Sequence, residues 1–166
     1  IDASNADSNI QLLLVGNKNE IKKVLTDKNL QLPEEQIIHA DEVIEMSDSP
    51  TAALKSKPNS SIVVGAKLVK DGKADGFISA GNTGAMMAAS TIIIGRIKGV
   101  SRPTIGSSFP TQNGKYCSVY DVGASVDSKP THLYEYALLG SIYAREMYNI
   151  SKPTIGIMSV GEEKSK

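Results

Sequence analysis

Ala74-Asp75-Gly76-Phe77-Ile78-Ser79-Ala80-Gly81-Asn82-Thr83-Gly84-Ala85-Met86-Met87-Ala88-Ala89 is the stretch on which the reading of the fold turns. Ala74 to Ala80 reads as a short strand. Gly81 to Gly84 breaks it, and the Ala/Met/Ile-rich run from Ala85 to about Ile97 reads as a helix. A strand that passes through a glycine turn into a helix is the repeating step of an α/β sheet.

The same step recurs on either side. Upstream, Leu12 to Val15 is a strand and Gly16-Asn17 a turn. Asn17 is placed to cap a helix with Glu20 three residues on, and Ile21, Val24 and Leu25 share one face. Leu32-Pro33 ends that helix, and Gln36 to Ala40 is a second strand. Asp48 to Lys57 reads as a short helix with Pro50 in its first turn. Ser60 opens a longer one with an Ile62, Val63, Ala66, Leu68, Val69 stripe that stops at Asp71-Gly72. Downstream, Arg102-Pro103 marks a loop. Thr104 to Phe109 and Tyr116 to Val122 are strands around an Asn113-Gly114 turn. Pro130 to Tyr148 is an amphipathic helix through Leu133, Tyr136, Ala137, Gly140, Ala144 and Met147, and Thr154 to Val160 is a last strand. The alternation predicts an α/β fold with a mostly parallel sheet covered on both faces, in one domain over residues 1–166.

The chain has 166 residues, 40% apolar and 22% charged, an ordinary globular composition. Its 18 basic and 18 acidic side chains cancel, so no strongly basic footprint points to nucleic acid. Cys117 is the single cysteine, which excludes an internal disulfide and fits a reducing cytoplasm. It lies in an apolar strand pattern and reads as a small buried hydrophobe. With two histidines, His39 and His132, a zinc site would need both plus carboxylates, so no metal is expected. No apolar run reaches the ~18–20 residues of a membrane span. Ile1 to Asp7 lacks the basic start and apolar core of a signal peptide. The first residue is not Met, and the last predicted strand has no helix after it, so the chain reads as part of a longer protein.

In open parallel sheets, ligands bind beyond the carboxyl ends of the strands. Three loops fall there. Ser79-Ala80-Gly81-Asn82-Thr83-Gly84-Ala85 offers glycines for close backbone approach and helix-start N–H groups, which suit phosphate or carboxylate. Gly76 to Thr83 fits G-x-x-x-x-G-x-T, with Asn82 where a P-loop has lysine; the plainer reading is a tight turn capped by Asn82. Asp121-Val122-Gly123-Ala124-Ser125-Val126-Asp127-Ser128 sets two carboxylates around a glycine turn, able to orient a lysine, a water or a metal, or simply to tie their own loop. Gly161-Glu162-Glu163-Lys164-Ser165-Lys166 is a charged tail on the same predicted sheet edge. Glu42, Glu45, Asp48 and Met46 read as a solvated loop. No G-x-S-x-G elbow supports a serine triad.

Several blocks resemble the bacterial phosphate acyltransferase PlsX family. They are His39 to Met46, Ser60 to Gly65, Ala74 to Ala85, Asp121-Val122-Gly123-Ala124, Lys129 to Leu133, Gly140 to Arg145 and Gly161-Glu162-Glu163, in the family's order. The resemblance implies a three-layer α/β/α fold similar to that of phosphotransacetylases and isocitrate-type dehydrogenases. It implies a homodimer, without cofactor, that moves a fatty acyl group from acyl carrier protein to inorganic phosphate. The acyl phosphate would then feed a glycerol-3-phosphate acyltransferase in phospholipid synthesis, from a cytoplasmic enzyme with peripheral membrane contact. The family is roughly twice this length. Its Gly-Gly-Asp loop near the N-terminus is missing here, and Ser125 replaces the family's Asn. By resemblance Lys166 is the cation after G-E-E. Asp121 then orients that lysine or its loop, since phosphate is already ionised. Ser79, Gly81, Asn82, Thr83, Gly84, Gly123, Ala124, Glu162 and Glu163 would line the phosphate and substrate site. The rival readings are a CoA-dependent phosphate acetyl- or butyryltransferase and a non-catalytic module that binds phosphate or acyl carrier protein.

Overall fold

A computed structural model describes residues 1–123 and 127–158. The chain divides into two compact units, Ile1–Ile97 and Lys98–Lys166. Each is α/β in composition.

The first unit opens with a short helix, α1 (Asp2–Ala6), and then a strand–helix–strand step. β1 (Leu14–Gly16) passes through Asn17 into α2 (Lys18–Asp27), and β2 (Ile37–His39) returns parallel to β1. Asn17 caps α2 as its position predicts, its side chain accepting from the Asn19 and Glu20 amides at 3.0 and 3.3 Å. The register pairs Leu14 with Ile37 and Gly16 with His39. Three further helices follow: α3 (Pro50–Ser56), α4 (Ser61–Lys70) and α5 (Thr83–Ala89), whose last turn widens into a π-helical turn over Ser90–Ile94. Their shared core is Ile44, Ala53, Ile62, Ala66, Ala85 and Ala89, with Leu54, Phe77, Met86 and Ile93 packed against it. Alanines at four of those six positions let the helix backbones approach closely. Gly65 carries this furthest: a Cβ there would sit 2.4 Å from the Phe77 ring.

The second unit is a hairpin backed by a long helix. β3 (Gly106–Pro110) and β4 (Tyr116–Tyr120) pair antiparallel, Ser108 opposite Ser118. The turn falls where Asn113-Gly114 predicts it, with Gly114 at φ +72°, a conformation only glycine adopts freely. α6 (Pro130–Tyr148) ends on Asn149 in the left-handed conformation. The helix meets β4 through tyrosines. Tyr148 stacks on Tyr116 at 5.3 Å and its hydroxyl bonds Ser108; Tyr143 packs edge-on to Tyr120 and Tyr148. Gly140 leaves room for Tyr120, whose ring would lie 3.3 Å from a Cβ.

Some expectations are met only in part and others change. Both sheets are two-stranded among the described residues, and the second is antiparallel, so the mostly parallel sheet is seen only as β1–β2. Ala74–Ala80 is not a strand. A strand exists only through a hydrogen-bonded neighbour, and this segment is used otherwise: the Lys73 and Ala74 amides bond the Leu68 carbonyl at the end of α4, Phe77 lies on Gly65, and Ile78 is 97% exposed. Residues 154–158 of the last predicted strand are likewise unpaired, with Ile155, Ile157 and Met158 exposed; Ser159 and Val160 lie outside the described residues. Cys117 is exposed rather than buried, because β4 has α6 on one face only. The α6 stripe is also only half used: Tyr136 and Ala144 are buried, whereas Leu133 and Met147 are exposed.

Candidate functional site

The first predicted loop is a rigid turn built by Asn82. Its side chain is 6% exposed and engaged at both ends. Oδ1 accepts from the Ala85 amide at 3.0 Å, capping α5. Nδ2 donates to the carbonyls of Glu45 and Asp48, both at 3.1 Å, and more weakly to Met46. Asn82 thus staples the 45–48 loop to the start of α5, and any ligand here meets backbone rather than this amide. Ser79 Oγ accepts from the Gly81 amide at 3.1 Å, closing the turn locally. Thr83 and Gly84 begin α5, where first-turn N–H groups have no intrahelical acceptor. Gly84 is a glycine for a packing reason as well, since a Cβ would fall 2.6 Å from Pro50.

The acidic loop expected to be merely solvated is the other half of this staple. Lys57 reaches Asp48 at 2.5 Å and the Val43 carbonyl at 2.8 Å, and Asp48 accepts from the Glu45 amide at 2.8 Å. The Lys57 ammonium holds the Asp48 carboxyl below its ordinary range, and the Glu45 amide adds to the effect. Glu42 accepts from the Asn59 amide at 2.7 Å. These pairings run between 3 and 37 residues apart, and no spacing rule announces the longer ones.

The loop after β4 is tied to the segment before β3. Asp121 Oδ1 accepts from the Ile105 amide at 3.0 Å, and Val122 N–H donates to the Ile105 carbonyl at 2.9 Å. Gly123 has φ +138° with open space around it. Beyond the gap in the described residues, the Asp127 carbonyl accepts from the Arg102 guanidinium at 3.3 Å. Asp121 also lines a cavity of about 880 Å³ whose walls are β4, α6 and residues 150–158, together with Ser128. Arg102 and its neighbours were legible only as a loop signal, Arg102-Pro103. Glu135 of α6 fixes that loop: its carboxylate accepts from Ser101 Oγ at 2.8 Å and the Ser101 amide at 3.0 Å. The Ser101 hydroxyl is the main reason the Glu135 carboxyl is held below its ordinary range.

Both histidines have partners that sequence did not reveal. His39 Nδ1 accepts from the Lys18 amide, joining the ends of β1 and β2, and His132 Nδ1 accepts from the Lys129 amide at the start of α6. Ala124, Glu162, Glu163 and Lys166 lie outside the described residues. The structure therefore brings Ser79, Gly81, Asn82, Thr83 and Gly84 together in the first unit, and Asp121 and Gly123 in the second. No described helix is long and apolar enough to cross a membrane.

Residues 1–166 match the family model for fatty acid synthesis proteins. The chain is 44% identical to the phosphate acyltransferase of Dictyoglomus turgidum over 160 residues, which is 96% of this chain and 48% of that protein. It is 44% identical to the phosphate acyltransferase of Bacillus cytotoxicus and 45% identical to that of Geobacillus thermodenitrificans, in each case over 96% of this chain and 47% of the relative. The chain spans about half the length of the curated relatives it matches.

Proposed function

The chain belongs to the fatty acid synthesis protein family, and on that premise we propose that the whole protein moves a fatty acyl group from acyl carrier protein to inorganic phosphate. The observation that carries this reading is the sustained identity to phosphate acyltransferases over 96% of the chain. In the reaction a phosphate oxygen attacks the thioester carbonyl carbon. The tetrahedral oxyanion collapses, the C–S bond breaks, and the carrier thiolate leaves and takes up a proton. The product is an acyl phosphate, a mixed anhydride ready for transfer to an alcohol such as glycerol 3-phosphate.

The protein's tasks are to hold an anion, offset its charge and steady the oxyanion. In this reading the N–H groups of Thr83 and Gly84 receive phosphate, and Ser79, Gly81 and Asn82 hold the turn that presents them. Lys166 supplies the cation, and Gly123, Ala124, Glu162 and Glu163 contribute to the phosphate and substrate site. Asp121 orients its loop. The Ile105 amide on its Oδ1 supports that role over proton abstraction, which ionised phosphate does not need. The finer architecture we propose for the whole protein is a three-layer α/β/α fold with a mostly parallel sheet. It would act as a cytoplasmic homodimer with peripheral membrane contact, upstream of a glycerol-3-phosphate acyltransferase.

The test is product trapping. Full-length protein, acyl-carrier thioester and phosphate, quenched with hydroxylamine, should give hydroxamate only when phosphate is present. Equal hydroxamate without phosphate, or none with it, rejects the reaction. Turnover with acetyl- or butyryl-CoA but not the carrier thioester would replace the donor. Lys166→Ala in the same assay should lower kcat by roughly 10²–10³-fold, the usual loss for one transition-state contact; unchanged kcat would remove Lys166 from the site.

A further inference from the structure

We propose that the cavity between β4, α6 and residues 150–158 binds a long acyl chain with an anionic head group. The head sits at Lys115 and Lys152, and the chain runs along α6 toward Asp121. The site lies wholly in the second unit. Binding there does not depend on the reaction proposed above. Only the source of the chain, donor substrate or free fatty acid, is tied to that reading.

The cavity suits a long, narrow guest. Its volume is about 880 Å³, toward the upper end of the ~300–1,000 Å³ usual for small-ligand sites. Lys115 and Asp121 flank β4 on either side, so the wall between them runs about 20 Å at ~3.3 Å per residue. A fatty acyl chain spans one leaflet, roughly half of a ~30 Å hydrocarbon core, and fits between the two ends. The α6 wall leaves it room: Ala137, Gly140, Ser141 and Ala144 are all small. The Ser141 hydroxyl is already spent on the Ala137 carbonyl at 2.8 Å, so it asks nothing of a guest. Ile155, Ile157 and Met158 also line the cavity, yet they are exposed. A chain laid against them takes apolar surface out of water.

Charge gives the guest a direction. Lys115 and Lys152 are the cations of the lining, and Asp121 is its carboxylate. Both lysines belong to one end. Lys115 precedes β4, Tyr148 at the end of α6 stacks on Tyr116, and Lys152 follows Tyr148 by four residues. Asp121 follows β4 at the other end. Lys18, Lys22 and Lys57 each meet a carboxylate, whereas Lys115 and Lys152 meet none among the described residues. A carboxylate or phosphate head is therefore drawn to the lysine end and repelled from the Asp121 end. Cys117 lies in the same wall, and its exposed thiol is a chemical reporter of what lies against it.

The experiment uses the full-length protein, titrated by calorimetry with decanoate, laurate, myristate and palmitate below their micellar concentrations, and with dodecanol. Affinity should rise about three- to fourfold per added methylene. Dodecanol should bind roughly three- to tenfold more weakly than laurate, the range for two exposed charge contacts. Lys115→Gln combined with Lys152→Gln should bring laurate down to the level of dodecanol and leave dodecanol within about twofold. Ala137→Phe fills the middle of the cavity and should weaken palmitate by about tenfold or more. If circular dichroism shows that this variant does not fold, the lysine pair at exposed positions carries the test. Bound palmitate should also slow alkylation of Cys117, followed by peptide mapping. Palmitate that raises the acyl-donor KM at unchanged kcat assigns the cavity to the donor's chain. Palmitate that changes kcat at unchanged donor KM assigns it to free fatty acid, and either result upholds the site. Binding of this pattern in a protein that forms no hydroxamate upholds the cavity while the proposed reaction falls. The proposal is overturned if the full-length protein binds none of the carboxylates, as it would with the rest of the chain or a second copy filling the cavity. It is equally overturned if the lysine variant binds laurate as wild type does, or if palmitate leaves Cys117 unprotected.

Discussion

The turn at Asn82 and the loop at Asp121 have similar sequences, each small, polar and glycine-containing, yet they are held in opposite ways. At Asn82 the polar side chain does the holding, and is consumed by it: one amide caps α5 and gathers three carbonyls of a distant loop. What is left to offer a ligand is backbone. At Asp121 the holding comes from outside: Ile105 bonds Asp121 and Val122, the Arg102 guanidinium bonds the Asp127 carbonyl, and Glu135 fixes Ser101 beside it. A polar residue in a glycine turn is therefore not by itself a ligand. The question is whether its donors and acceptors are already spent.

Removing the staple is the strongest way to break this contrast. Asn82→Ala deletes a buried cap and strands the 45–48 carbonyls. A cap is worth about 1 kcal/mol, and the unmet buried groups add about 1–3 kcal/mol. Denaturant unfolding should show a loss of roughly 2–4 kcal/mol, with Asn82→Asp losing less because it keeps the cap. A loss below about 0.5 kcal/mol would mean the turn holds without its amide.

Glycine substitutions sharpen the comparison at a smaller scale. Gly84→Ala drives a methyl group into Pro50, and overpacking of this kind costs about 1–3 kcal/mol. Gly123→Ala meets open space but must adopt φ +138°, a strained backbone costing about 1–3 kcal/mol. The two should separate by rescue. Pro50→Ala, which opens the space, should relieve most of the Gly84→Ala loss and none of the Gly123→Ala loss. Equal rescue of both would put the strain at Gly84 in the backbone instead.

The smallest effect is in acid. Asp48 has its carboxyl held below the ordinary range by Lys57, so the pair stabilises the fold at pH values above the unfolded carboxyl's range. That stability is lost as pH falls through the depressed value. Wild type and Lys57→Gln should differ in thermal stability near neutral pH and converge once the medium is acid enough to protonate Asp48. A difference that persists unchanged in strong acid would assign the Lys57 effect to its Val43 carbonyl contact.

Much of the local architecture was legible because local chemistry decides it. Asn17 before α2, Pro50 in the first turn of α3 and Asn113-Gly114 in the hairpin each act within about four residues. The failures are of another kind. Ala74–Ala80 has a strand's composition, but a strand is a relation between two segments, and this one spends its first amide and its Phe77 on α4. Asn82 carried both a cap reading and a ligand reading. Only partners 34 to 37 residues away decide between them. The ties of Ser101 and Arg102 went unread because their partners, Glu135 and Asp127, lie 34 and 25 residues away, and nothing in the Arg102-Pro103 dipeptide anticipates them.

The exposed Cys117 on β4 has a practical side. A sequence with one thiol, and that thiol in solvent, has a single address for covalent labelling. A maleimide dye or spin label placed there reports on the hairpin and its tyrosine seam without touching Asn82 or Arg102. The same exposure sets a handling rule. With no second cysteine in this sequence to close a ring, air oxidation of this thiol runs between molecules, so reductant-free samples should accumulate a covalent dimer on non-reducing gels. That species must be removed before any oligomeric state is read from the size of the particle.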